Sequence, residues 1–142
     1  MDHIVCLDTK SREIENLLLG HKSMIIRGAE SHRLPHGEVN EGDTLYFVNC
    51  SCKEEIMARG IVSSVFSSGM LTEEESFETI IRNQDKLQLP DNQFEKIAGK
   101  QYLLLIGVDN MERLTPFRFN KSSFPEMEDW IIVGKIEEYI LS

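Results

Sequence analysis

The sequence predicts one α+β domain built on a small mixed β-barrel with flanking helices. The 142 residues match the ordinary size of a single domain, and 41% are hydrophobic and 27% charged, as in globular chains. The predicted element order is strand, helix, strand, hairpin, two helices and three strands. This order does not alternate β and α, so a doubly wound parallel sheet is disfavoured. We therefore treat residues 1–142 as one domain.

The first predicted elements are a strand, a helix and a second strand. Residues 4–7 are a short apolar run typical of a strand. Ser11 can cap a helix that carries one apolar stripe at i, i+3 and i+4 spacing, and Gly20 is suited to end that helix. Residues 23–26 then return to strand.

A long polar segment and a hairpin follow. Residues 28–42 contain Pro35 and several glycines, which predicts a loop of a length that is often functional. Two strands come next, at residues 44–48 and 56–66, and Gly60 in the second is a candidate bulge or bend. Long bent strands of this kind close small barrels.

The second half begins with helices and ends with strands. Thr72 and Glu75 have the spacing of a capping box, and a short helix follows Pro90. Residues 102–108 form a continuous apolar run, typical of a strand buried on both faces. Pro116 indicates an edge position for the next strand. Further strands are expected at residues 114–119 and 130–133, and residues 136–141 form a last short strand or helical turn.

The charge of the chain restricts its partners. A net charge of −9 argues against a protein that coats nucleic acid nonspecifically and favours a small, localised ligand over long duplex. One window is basic against a single acid, Glu30. Those basic residues of the window that lie in the long loop can bind a phosphate backbone, or they are simply solvated. The basic residues of the window are His21, Lys22, Arg27, His32, Arg33 and His36.

Cysteine usage and targeting signals bear on the compartment. No apolar run approaches the ~20 residues of a membrane span, and the start lacks a secretory pattern. We predict a cytoplasmic protein without a membrane partner. The odd number of cysteines, Cys6, Cys50 and Cys52, favours reduced thiols. The spacing of Cys50 and Cys52 could attract a metal ion. A structural zinc site needs about four ligands, and no second Cys or His pair in the sequence has suitable spacing. We therefore predict neither metal nor cofactor.

Residues 18–27 contain the pattern Gly-x-Lys-x-x-x-x-Arg, with Gly20, Lys22 and Arg27 at its defined positions. This pattern resembles the signature of ASCH domains, which belong to the PUA-like superfold. Residues 42–47 resemble the Gly-Asp turn of that family, and residues 58–65 resemble the barrel strand after it. The resemblance implies a PUA-like barrel whose cleft bears Lys22 and Arg27, and RNA or a modified nucleoside as ligand.

The resemblance also raises the possibility of an enzyme. One branch of the family hydrolyses acetylated cytidine with a Thr three residues after the motif Lys and a Glu later in the chain. Ile25 occupies the Thr position here and offers no hydroxyl. Among the three consecutive glutamates from residue 73, Glu75 is already assigned to the capping box. If the chain is an enzyme, Lys22 and Glu74 are the candidate catalytic residues, with the Glu as general acid or base.

Three hypotheses stay open. The first is a domain that binds RNA or a modified nucleoside. The second is an amidohydrolase acting on an acylated nucleoside, and the third is a protein-interaction domain with a vestigial cleft. On a regular strand, the odd spacing of Lys22 and Arg27 would place them on opposite faces, so a bulge or strand end is needed. Trp130 either stacks on a base or packs in the core. The candidate binding residues are Lys22, Arg27, Arg33, Lys121 and Trp130.

Overall fold

The computed structural model describes residues 1–30, 39–50, 55–120 and 130–140. Within these ranges the strands are β1 (Asp2–Leu7), β2 (Met24–Ala29), β3 (Thr44–Asn49), β4 (Glu55–Ser67), β5 (Tyr102–Arg118) and β6 (Trp130–Gly134). The helices are α1 (Glu13–Leu18), α2 (Glu73–Arg82), α3 (Gln84–Leu87) and α4 (Asp91–Ile97), and a 3₁₀ helix spans Ile136–Tyr139. No helix in this part of the chain is long and apolar enough to cross a membrane.

The six described strands form one mixed sheet in the order β2-β5-β4-β3-β1-β6. β1 and β3 pair in parallel, whereas the other neighbouring strands pair antiparallel. The sheet curls, since Arg27 on the edge strand β2 reaches Cys6 on β1, four strands away in the sheet order. The result is a half-barrel with a few helices, which confirms the predicted α+β class and mixed barrel.

The core has separate layers on the two faces of β5. Leu104, Ile106 and Val108 lie in a cluster with the buried residues of β1, β3 and α1. Leu103 and Leu105 face the opposite side and pack with residues of β2 and the helical region. Residues 102–108 are therefore buried on both faces, as their continuous apolar run predicts. The helices α2, α3 and α4 thereby cover one side of the sheet.

Local structure departs from the sequence predictions in two places. β5 continues without a break through residues 109–113, because its pairing with the long strand β4 extends from Ser67 to Glu55. Pro116 lies opposite a register shift around Met57, in a part of β5 that pairs with β4 but not with β2. It is therefore at an edge of the described sheet, as predicted. The helix α1 begins after Arg12, whose φ is 56°, and Ser11 does not cap it. Instead, the Ser11 amide donates to the Asp8 carboxylate at 2.8 Å.

Two other local features confirm the predictions. The side chain of Thr72 accepts a hydrogen bond from the Glu75 amide, and the Glu75 side chain accepts one from the Thr72 amide. This reciprocal pair is the capping box of α2. A register shift between Arg59 and Ile61 puts a bulge at Gly60, where the chain bends to follow the curled sheet.

Replacing Gly60 with alanine is expected to destabilise the fold by about 2 kcal/mol, because the added methyl overpacks the bulge. An ideal Cβ there lies 2.5 Å from Cγ1 of Val108 and 2.7 Å from Sδ of Met111. Gly69→Ala is the matched control, since its Cβ meets no atom within 4 Å. Urea unfolding of both variants measures the difference, and equal stabilities would contradict this account of the bulge.

Candidate ligand-binding cleft

A pocket of about 310 Å³ opens between β1, β2, α1 and α4. This volume lies at the lower end of the range for small-molecule sites, about 300–1,000 Å³. The apolar and sulfur-bearing residues that line the pocket come from the sheet and from the two ends of α4, namely Cys6, Ile26, Cys50, Leu89 and Ile97. Its polar lining, which gives the pocket its chemistry, consists of Asp8, Glu13, Lys22, Arg27, Gln93 and Lys96. We call this pocket the cleft.

Lys22 is the buried cation of the cleft, with 4% of its surface exposed. Its Nζ lies 3.5 Å from Oε2 of Glu13, the first residue of α1. Burial lowers the pKa of the Lys22 amine, the Glu13 carboxylate opposes this change, and the nearby Arg27 charge lowers the pKa further. The amine therefore gives up its proton more readily than a solvated lysine does.

Lys22 and Arg27 line the same pocket despite their odd spacing. Lys22 lies in the connection before β2, so the alternation of faces along a strand does not relate the two residues. Backbone hydrogen bonds to α1 and to α3 fix this connection. The Lys22 amide donates to the Asn16 carbonyl of α1 at 3.2 Å, and the Ser23 amide donates to the Lys86 carbonyl of α3 at 3.0 Å.

Arg27 reaches across the open side of the half-barrel. One terminal nitrogen, Nη2, donates to the Cys6 carbonyl of β1 at 2.6 Å, and Nη1 donates to the Ile26 carbonyl at 3.0 Å. The guanidinium carbon lies 5.8 Å from the ring centroid of Trp130 on β6, in cation–π range. Arg27 thus lines the cleft and also connects β2 with β1 and β6.

Trp130 lies beside Arg27 and does not occur among the described residues that line the cleft. It packs against the core cluster inside the barrel, and its indole N–H donates to Nδ1 of His3 at 3.1 Å. The arrangement orients the indole from two sides. Trp130 therefore supports Arg27 from the core side.

His3 connects Trp130 to Asp43. His3 is fully buried, and its Nε2 lies 2.9 Å from Oδ2 of Asp43. Because an indole N–H can only donate, Nδ1 of His3 accepts, and Nε2 is left to donate to the carboxylate. Burial raises the pKa of Asp43, but hydrogen bonds from His3 and the Asn40 amide, with the N-terminal charge, outweigh burial and lower it overall.

Asp43→Asn is expected to cost about 2 kcal/mol at neutral pH, because the charged acceptor of His3 is lost. The folded-state pKa of Asp43 lies below its ordinary value of 3.8, so its contribution is present above that value and lost as pH falls through the folded pKa. The stability difference between wild type and variant should therefore shrink below about pH 4. Urea unfolding from pH 7 to pH 3 measures it, and a constant difference would contradict the assignment.

Comparisons with known proteins bear on the fold. No family model matches the chain, and no curated protein matches it in sequence. The ASCH protein of Zymomonas mobilis and two of its single-substitution variants superpose with a TM-score of 0.70 at 10% identity. The matches cover 96% of this chain and between 90% and 93% of the others. The chain has an ASCH-domain fold. At this identity the likeness concerns the fold alone.

The structure separates the residues of the candidate amidohydrolase set. Ile25, at the Thr position, is fully buried in the barrel core. Glu74 is exposed on α2 and borders a different surface hollow, formed with Thr72, Glu73 and Phe77. The structure therefore does not bring Glu74 to Lys22. Arg33 and Lys121, the other two candidate binding residues, lie outside the described residues.

Sequence reasoning missed four polar residues that the fold brings to the cleft: Asp8, Glu13, Gln93 and Lys96. Glu13 pairs with Lys22, Asp8 follows β1, and Gln93 projects from α4 and donates to Oγ of Ser11 at 3.1 Å. A hydrogen bond from Ser11 lowers the pKa of Asp8. Their positions depend on how three distant segments pack, and the local sequence carries no signal of that. Glu13 is a partial exception, because its place shortly before the Lys22 motif is a weak local signal.

The cysteines also depart from the prediction of reduced thiols. Cys6 and Cys50 form a disulfide with their Cα atoms 5.0 Å apart. Both line the cleft. The prediction is wrong for this pair because β1 and β3 are parallel neighbours, which brings together two residues that are 44 positions apart. Cys52 lies outside the described residues.

Proposed function

We propose that the chain binds a modified nucleoside, free or within a short single-stranded RNA, in the cleft. One observation carries the proposal, namely that the buried Lys22 and the partly buried Arg27 line one pocket of small-molecule size. Burying a lysine is costly and rare unless the charge has a use or a partner. The Glu13 partner leaves hydrogen-bonding capacity on the amine, which has three donors.

The mixed lining supports a nucleobase as ligand. Nucleobase edges present donors and acceptors side by side, and single-stranded bases are recognised through hydrogen bonds to these edges. Lys22 and Arg27 supply donors, the carboxylates of Asp8 and Glu13 supply acceptors, and the amide of Gln93 supplies both. Such a set of donors and acceptors can distinguish an unmodified nucleobase from a modified one, whose added group changes the hydrogen-bonding edge.

The charge and volume of the cleft support one nucleoside residue. Three cationic and two anionic side chains line it, so one net positive charge remains at neutral pH. This balance suits a neutral or singly charged ligand better than a polyphosphate. The remainder of the chain is acidic, with a net charge of −9, which disfavours long contacts along a phosphate backbone. We therefore place a base or nucleoside in the cleft and any flanking phosphate at its rim, near Lys96.

A thermal-shift screen tests the proposal. Free nucleosides, modified nucleosides and short single-stranded RNAs are added at low salt to wild type, Lys22→Ala and Lys96→Ala. A ligand at about 100 times its dissociation constant adds about 2.7 kcal/mol to stability, which raises the melting temperature measurably. We expect the rise in wild type, a loss in Lys22→Ala and a reduction in Lys96→Ala.

Lys86→Ala is the matched control, because this lysine is exposed on α3 and does not line the cleft. It should respond to ligand as wild type does. A shift of equal size in all variants would place the ligand elsewhere. No shift with any nucleoside or RNA would refute the proposal and favour a protein-interaction domain.

A second candidate, an amidohydrolase acting on an acylated nucleoside, is favoured by the pairing of Lys22 with Glu13. A carboxylate 3.5 Å from a buried amine is suited to proton transfer, and Glu13 can serve as the general base that Glu74 is too distant to provide. With Ile25 in place of a hydroxyl, water would be the nucleophile. Turnover of acetylated cytidine that is lost in Glu13→Gln and kept in Glu74→Gln would support this function. Absence of turnover at high enzyme concentration would exclude it.

A further inference from the structure

The disulfide between Cys6 and Cys50 lies in the cleft lining beside the cationic side chains. Its two ends differ in accessibility. Cys6 is 2% exposed, whereas Cys50 at the end of β3 is only partly buried. Cys50 is therefore the more accessible residue of the disulfide and the expected point of attack.

The fold does not depend on this bond to hold the two strands together. β1 and β3 pair in parallel register from Asp2 with Thr44 to Leu7 with Asn49. The Cys50 amide itself donates to the Leu7 carbonyl at 2.9 Å. The sulfur atoms are thus neighbours because the backbone places them there, and the bond can open without separation of the strands.

We propose that Cys6 and Cys50 form a reversible thiol–disulfide exchange site whose co-reactant is a low-molecular-weight thiol. The thiolate of the small thiol attacks the Cys50 sulfur, forms a mixed disulfide there and releases Cys6 as a thiolate, which keeps its charge beside the cations of the cleft until it takes a proton from water. A second small thiolate attacks the sulfur of the small-molecule half and releases Cys50. The two small thiols are oxidised to their disulfide, and the protein gains two electrons and, on protonation, two protons.

The electrostatics of the cleft assist this exchange. Thiolates are stabilised by neighbouring cations, and three cationic side chains, those of Lys22, Arg27 and Lys96, share the lining with the two cysteines. Arg27 also donates to the main-chain carbonyl of Cys6, so its cation is held at the residue whose sulfur leaves.

Exchange also changes the charge that a ligand meets. Thiolates formed in the cleft offset part of the positive charge of Lys22, Arg27 and Lys96, whereas the disulfide is neutral. The oxidised protein should therefore bind a phosphate-bearing nucleoside several-fold more tightly than the reduced protein. This coupling rests on the proposed function, whereas the exchange chemistry itself does not.

The exchange site is tested on the full chain with Cys52→Ser, so that only two cysteines remain. The protein is equilibrated in mixtures of reduced and oxidised glutathione, its free thiols are trapped by alkylation, and the product is weighed by mass spectrometry. We expect one transition between zero and two trapped thiols, with the circular dichroism of the native fold throughout. In Cys6→Ala, the glutathione adduct should form on Cys50.

The rate of reduction in charge variants distinguishes an exchange site from a purely structural disulfide. We expect Lys96→Met, at an exposed position, and Lys22→Met to slow reduction by about threefold or more, since fewer cations stabilise the thiolates. The control Lys86→Met should react as wild type does. Unchanged rates in both cleft variants would overturn the proposal. So would a bond that resists glutathione until the protein unfolds, or two thiols that stay free in oxidised glutathione.

A binding measurement then examines the coupling. Adenosine monophosphate is titrated into oxidised and reduced protein by calorimetry, with the Cys6→Ser, Cys50→Ser double variant as the form that cannot switch. Tighter binding to the oxidised form alone supports the coupling. Normal exchange with equal binding, or none, in the two redox forms would contradict the coupling and leave the exchange site intact. The thermal-shift screen tests the proposed function separately, so the failures can be told apart.

Discussion

Lys22→Met is expected to lower the free energy of unfolding by about 3 kcal/mol, the low end of the cost of breaking a buried ion pair. The reason is the Glu13 carboxylate, whose side chain is only 10% exposed and would lose its counter-ion, the amine 3.5 Å away. Glu13→Met should cost a similar amount, because it leaves the Lys22 ammonium, with a side chain 2% exposed, without its counter-ion.

The double variant Lys22→Met, Glu13→Met distinguishes this pair from two independent contributions. Removal of both charges leaves no uncompensated group, so we expect the double variant to be more stable than the sum of the single effects by at least about 2 kcal/mol. Urea unfolding followed by Trp130 fluorescence gives all four stabilities. Lys86→Met controls for the loss of a lysine at an exposed position. Simple additivity would show that the pair does not interact.

Arg27→Met is the second substitution with a large expected effect. It removes the donor at 2.6 Å from the Cys6 carbonyl and the cation beside the Trp130 ring. A buried acceptor that loses a charged donor costs about 1.5–3 kcal/mol, and the lost cation–π contact adds about 0.5–1 kcal/mol. We therefore expect a loss of stability near the upper end of these values and a changed emission of Trp130, the chain's only tryptophan, in the folded protein.

Arg27→Lys is the matched control for charge. Lysine keeps the cation but lacks the planar fork that donates to two carbonyls at once, those of Cys6 and Ile26. We expect it to recover less than half of the lost stability. Chemical unfolding and the emission spectrum of the native state provide the measurement. Full recovery by lysine would mean that the charge matters and the connection between strands does not.

Those features that depend on neighbours in the sequence could be predicted. The capping box of Thr72 and Glu75 is a local exchange of hydrogen bonds, so its spacing is sufficient to recognise it. The bulge at Gly60 and the two-sided burial of residues 102–108 follow from residue type and from the length of an apolar run. The break predicted between residues 108 and 114 was wrong because pairing with β4 overrides the local preference of this polar stretch.

The sequence by itself therefore determined the class of fold, the order of most elements and the motif that contains Lys22 and Arg27. Only the tertiary structure decided the partners of these residues: Glu13 beside Lys22, Cys6 and Trp130 around Arg27, and Cys50 bonded to Cys6. The physical reason is that such contacts join segments far apart in the chain. They form when the sheet curls and α1 and α4 pack against it, and no local spacing encodes the distance between two side chains on different elements.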